Sequence, residues 1–187
     1  MLTTLIVLAP VQAEADPPLN SDFIRKRFGN YHVSVLAQHD EIRITNLYSI
    51  TSGVAVCRTL AATHFIIPVA PTLIAADTRI RSGDSIGATL HQLGFTVSKT
   101  LLIETWAESG RQFESLAPNI ETGTSVSIKV YVLQASKDGQ TDNYAVIAEA
   151  YHPEHTPPLL SPVTDETMAK SLKQLSEHAL SAVLNAL

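Results

Sequence analysis

Apolar side chains fall on every second position through much of this chain, and that pattern predicts β-strands. Tyr31, Val33, Val35 and Ala37 share one side of residues 31–38. In residues 42–50, Ile42 and Ile44 face one way and Arg43 and Thr45 the other. A longer apolar run, 54–67, follows Ser52-Gly53. Turns as short as His39-Asp40 and Ser52-Gly53 join only antiparallel neighbours, so the first half reads as a three-stranded meander. Pro68 and Pro71 end its last strand, because proline cannot donate to a central ladder.

The second half alternates again. Phe95, Val97, Leu101 and Ile103 predict a half-buried strand. Val126, Ile128, Val130 and Val132 predict the first arm of a hairpin, and Tyr144, Val146, Ala148 and Ala150 the second. The turn between them is Lys137-Asp138-Gly139-Gln140, a little longer than the minimal Asp-Gly type. Residues 73–81 read as extended, and Arg111–Leu116 as a short edge strand. His152-Pro153-Glu154-His155-Thr156-Pro157-Pro158 reads as a rigid crossover.

Elsewhere the period lengthens to that of a helix. Asn20 is placed to cap a short helix through Phe28, with Leu19 and Ile24 as a hydrophobic staple and Gly29 as its stop. Ile86, Leu90 and Leu93 predict a second short helix, capped by Asp84 and ended by Gly94. Gly87 would let that helix approach the sheet. A long C-terminal helix starts near Ser161-Pro162 or Thr164-Asp165-Glu166. Its apolar stripe is Met168, Leu172, Leu175, Ala179 and Val183, backed by Leu180 and Leu184. Strands joined by tight turns, with helices set apart, predict a single α+β domain over residues 16–187. Its sheet is largely antiparallel, of about six to seven strands, packed by the long C-terminal helix and two short helices.

Composition narrows the function. The chain has 187 residues, with 45% hydrophobic and 17% charged, which suits one domain with a real core. A formal net charge of −5 with no basic stripe argues against a nucleic-acid partner. Residues 1–15 read as a cleaved signal peptide: the apolar run Leu5-Ile6-Val7-Leu8 precedes Ala13-Glu14-Ala15, with Asp16 as the new N-terminus, although no Lys or Arg precedes the run. The expected location is therefore periplasmic or secreted, with no transmembrane segment in the mature chain. Cys57 is the single cysteine, in an apolar run, and reads as an inert core residue.

Candidate chemistry is sparse. There is no Gly-x-Ser-x-Gly, phosphate-binding loop or Gly-x-Gly-x-x-Gly motif, and Gly83-Asp84-Ser85 lacks the partners of a serine hydrolase. His152 and His155 do not have the spacing of a helical metal pair, so no metal or cofactor is expected. Arg79 and Arg81 precede the free amides of Ser85, Ile86 and Gly87, which suggests anion binding. Arg58, His64, Glu104 and Glu149 are polar residues inside apolar strands. Such residues face water on an open sheet, or else converge in a pocket walled by Trp106 and Tyr131. The Asp84 to Lys99 segment resembles the helix–strand part of small β-α-β envelope modules, such as those preceding secretin channels. The resulting expectation is a non-catalytic binding or envelope-accessory protein, whose partner is a small molecule or an envelope protein. The alternative is a small cofactor-free lyase or hydrolase working with Arg58, His64 and Glu104.

Overall fold

Seven strands form one sheet in the order β1-β2-β3-β6-β5-β4-β7. The computed structural model describes residues 19–39, 41–155 and 159–187. The expectations for the signal peptide, for Asp40 in the first turn and for residues 156–158 of the crossover lie outside the described residues. β1 (His32–His39), β2 (Ile42–Thr51) and β3 (Val54–Phe65) form the expected meander. β5 (Ser125–Lys137) and β6 (Gln140–Tyr151) form the hairpin; β6 pairs with β3, and β4 (Thr96–Glu108) pairs with β5. All these pairings are antiparallel, and only the two-residue β7 (Ser161–Pro162) runs parallel to its neighbour, β4. The chain is a single α+β domain.

The β5–β6 turn is tighter than the sequence reading. Lys137 pairs with Gln140, which leaves only Asp138 and Gly139 between the arms, at φ 52° and 80°. Two consecutive positive φ values match the right-handed twist of the strands, and glycine adopts the second without strain.

Among the described residues, five α-helices accompany the sheet: α1 (Asn20–Phe28), α2 (Ile74–Arg81), α3 (Ile86–Gln92), α4 (Arg111–Leu116) and α5 (Glu166–Asn185). Two of them replace segments expected to be extended. Leu73, just before α2, and Ala76 and Ile80 within it recur at helical spacing and are fully buried, while Asp77 and Arg81 pair one turn apart at 2.8 Å. A 3-10 turn at Pro71–Leu73 leads into it. In α4, Phe113 and Ala117 are buried, and the amides of Gly110 and Phe113 donate to the Leu187 carbonyl at 3.0 and 2.8 Å. That partner is remote in sequence, so local pattern gives no sign of it.

α5 lies across one face of the sheet. Asp165 caps it, its carboxylate accepting from the amides of Thr167 and Met168. Leu172, Ala179 and Val183 are buried, and Met168, Leu175 and Leu180 pack at the margin. Leu184 departs from the expected stripe and is 44% exposed. Ile128, Val130, Val132, Val146, Ala148 and Ala150 meet α5 and α4 in one apolar core.

The opposite face is covered as well. Leu19 beside α1, Leu73, Ala76 and Ile80 of α2, and Leu90 of α3 pack there against Ala61, Phe65, Tyr131, Leu133 and Ile147. This double cover is what brings charged strand residues out of water.

Candidate functional site

Between α1, the start of α3 and the second face of the sheet lies a cleft of about 70 Å³. β2 contributes Arg43 and Thr45, β3 Thr63, β4 Lys99, β5 Tyr131 and β6 Glu149. Leu19, Asn20, Ser85 and Gly87 close it from the helical side. A methyl group on Gly87 would come within 2.7 Å of a Leu19 methyl, so the glycine admits Leu19 rather than the sheet.

Arg43 is 1% exposed. Alternation puts its side chain opposite Ile44, and α2 and the turn after it roof that side. Nη1 donates to the carbonyls of Ile80 at 2.8 Å and Asp84 at 3.0 Å, and Nη2 to Gly83 at 3.3 Å. These acceptors sit at and just beyond the C-terminal end of α2, where the helix dipole favours a cation. Among the described residues no carboxylate is within ion-pair distance of Arg43, the Asp84 charge acting on it only from farther off, and its Nε is buried without an acceptor. Burial holds its pKa below the usual arginine value. A second cation lies nearby: the Lys99 ammonium is 4.5 Å from the centre of the Tyr131 ring.

Glu149, 4% exposed, is the acidic residue among those lining the cleft. Asn20 donates to its Oε1 at 3.1 Å, and the Tyr151 hydroxyl donates to its Oε2. The Tyr131 hydroxyl lies near the same carboxylate. Burial, then the Glu149 charge, pushes the pKa of Tyr131 and of Tyr151 well up, so both stay protonated as donors. Asn20 donates in addition to Thr59 Oγ1 at 3.1 Å and accepts from His155 Nε2 at 2.6 Å. Asn20 is thus a buried node on the first turn of α1; Leu19, not Asn20, occupies the cap position.

Of the six residues expected to form a sheet-face pocket, the cleft brings together Tyr131 and Glu149. Arg58 sits at a bulge between Thr59 and Cys57, bonds Ser49, Thr51 and Glu154, and lies 3.7 Å over the Phe28 ring. His64 is on the other face, stacked on His178 of α5 at 5.7 Å and 3.7 Å from Glu41. Glu104 is the exposed partner of buried Lys129 at 3.5 Å, and Trp106 is 68% exposed. Arg58, His64 and Glu149 are buried under the double cover, whereas Glu104 and Trp106 face water as the open-face reading expects.

The expected anion site is also rearranged. Arg79 and Arg81 belong to α2, not to an extended segment. Arg79 binds the Asp84 carboxylate at 2.9 Å, which takes Asp84 away from capping α3, and Arg81 binds Asp77 and covers the Phe65 ring at 4.4 Å. Ser85, Ile86 and Gly87 do line the cleft. Asn20, Arg43 and Lys99 are the site residues that sequence reasoning missed. Arg43 was visible as a charge in an alternating strand, but only the helices above it show that it is buried.

His152 and His155 are buried and neutral. Burial lowers each pKa to about 4, aided at His152 by the nearby Arg58 charge. Cys57 is buried, which pushes its thiol up to about 12, in keeping with an inert core residue. Among the described residues no group of His, Cys, Asp and Glu is placed to hold a metal, and no helix is long and apolar enough to cross a membrane.

No protein family model matches the chain, and no curated protein matches its sequence. Among solved structures, the chain is similar to the C-terminal domain of Yurk from Bacillus subtilis subsp. subtilis str. 168. The two are 12% identical with a TM-score of 0.38, over 71% of this chain and 92% of that one.

Proposed function

We propose that this chain is a non-catalytic binding protein whose cleft takes a small organic anion with a hydrogen-bond donor at its far end. The observation that carries this reading is Arg43: a buried guanidinium on the cleft wall, without a carboxylate partner and with an unused Nε donor. An unpaired buried charge is costly, and an anion in the cleft would compensate it. Glu149 supplies the acceptor for the donor end, since a carboxylate has about four lone-pair sites. The apolar walls, among them Leu47, Leu133 and Ile147, suit a short carbon chain between the two.

The test is calorimetric titration with butyrate and 4-hydroxybutyrate. Saturable binding that Arg43→Gln abolishes supports the reading. Binding that survives this substitution, or no binding by either acid, contradicts it. The enzymatic alternative called on Arg58, His64 and Glu104, none of which lines the cleft. Export is proposed on the apolar run and the Ala13-Glu14-Ala15 site alone. N-terminal sequencing of envelope-fraction protein that begins at Asp16 supports it, and a retained Met1 contradicts it.

A further inference from the structure

We infer that His155 is a positioning residue for the cleft, which it never touches, fixing through Asn20 how Glu149 meets a ligand. The inference rests on the cleft being a binding site. His155 is 2% exposed, with its ring 6.1 Å from that of Phe28 and 5.9 Å from that of Tyr151. Its Nε2 is 2.6 Å from Asn20 Oδ1, while its Nδ1 is buried with no partner among the described residues.

An amide oxygen only accepts, so the ring proton sits on Nε2 and the lone pair on Nδ1. That fixes the Asn20 amide. With its oxygen toward His155, its NH2 reaches Glu149 Oε1 and Thr59 Oγ1. The flipped amide would set oxygen against carboxylate and NH2 against N–H, two repulsions in place of bonds. A neutral ring of one tautomer therefore orients the amide, and the amide holds one oxygen of Glu149. The Tyr151 hydroxyl donates to the other oxygen, so both oxygens of Glu149 are held.

Asn20, at the start of α1, is remote in sequence from Glu149 near the end of β6 and His155 in the crossover after it. The arrangement has the form of an outer layer that sets a ligand-contacting group without meeting the ligand.

The test compares butyrate with 4-hydroxybutyrate on the full chain by calorimetry, in the wild type, His155→Phe and His155→Gln. The glutamine can present an N–H where Nε2 stands. In the wild type the hydroxy acid should bind more tightly. In His155→Phe that preference should fall about tenfold, the scale of one lost hydrogen bond to a charged group, while butyrate is retained. His155→Gln should restore the preference. Equal weakening of both acids assigns His155 a merely structural role and overturns the inference. An unchanged preference overturns it too, and leaves the cleft reading standing. Failure of both acids to bind the wild type overturns the cleft reading and this inference with it. Nitrogen-15 spectra of the wild type give a readout free of ligand: a protonated Nε2 and an unprotonated Nδ1 at His155 are expected, and the reverse tautomer contradicts the chain of bonds.

Discussion

In β5 and β6 the two faces of the sheet can be compared residue by residue. Val130 stands opposite Ala148, and both point into the apolar core under α5. One position back along β5, Lys129 stands opposite Glu149, with side chains on the other face. The same ladder therefore serves two ends. Under α5 the buried groups are almost all hydrocarbon, and each fully buried branched side chain contributes about 1.5–3 kcal/mol. Under α1, α2 and α3 the sheet buries Arg43, Thr45, Thr59, Thr63, Lys129 and Glu149. Those groups require hydrogen bonds to be tolerated at all. The first face stores stability, and the second holds polar groups in fixed directions at some cost to it.

Breaking the apolar face should have the largest effect. Val183→Asp puts an unpaired charge at a fully buried position, and a loss of roughly 3–5 kcal/mol is expected in urea melts. Leu184→Asp, on the half-exposed side of the same turn, should stay within about 0.5 kcal/mol. Equal losses would contradict the placement of α5.

Acid should also lower stability, through two buried histidines. In the unfolded chain His152 and His155 take up protons as the pH falls through about 6.5. In the fold each stays neutral until about 4. The unfolded state thus binds the protons first, and acid favours unfolding. The stabilisation is complete above about 6.5 and declines toward pH 4, by up to roughly 3 kcal/mol per ring. Urea melts from pH 7 to 4 should show this slope, and the double variant His152→Asn, His155→Gln should flatten it. A wild-type stability that does not fall over this range contradicts the neutral burial of both rings.

Arg43→Met leaves the carbonyls of Ile80, Gly83 and Asp84 without their donor. It should lower stability by about 2 kcal/mol, less than Val183→Asp, because it also removes a buried charge. Gly87→Ala should have the smallest effect, about 1 kcal/mol or less, because the Leu19 methyl groups can shift aside. A loss as large as that from Val183→Asp would show that Leu19 cannot give way.

How much of this was legible in the sequence follows from the range of the interactions. Alternation exposed the strands, because side chains on a ladder repeat every second residue whatever covers them. Asp165 and the stripe from Met168 to Val183 exposed α5 for the same reason at helical period. The nature of α2 was written in the spacing of Leu73, Ala76 and Ile80, but the apolar run Leu73-Ile74-Ala75-Ala76 suits a strand as well as a helix. α4 depends on Leu187, and no local pattern carries that contact. The site was only partly legible. Glu149 stood out as a polar group in an apolar strand, and Tyr131 as an aromatic wall beside it. Arg43 and Asn20 looked like an exposed strand charge and a helix cap, because their burial comes from helices on a face that sequence alone left open.

The measurement that bears most directly on the central claim is the nitrogen-15 spectrum of the Arg43 Nε–H group during titration with 4-hydroxybutyrate. The account predicts a saturable shift of that resonance, following the same affinity as calorimetry. A resonance that stays in place while the acid binds would put the anion elsewhere and contradict the assignment of the cleft.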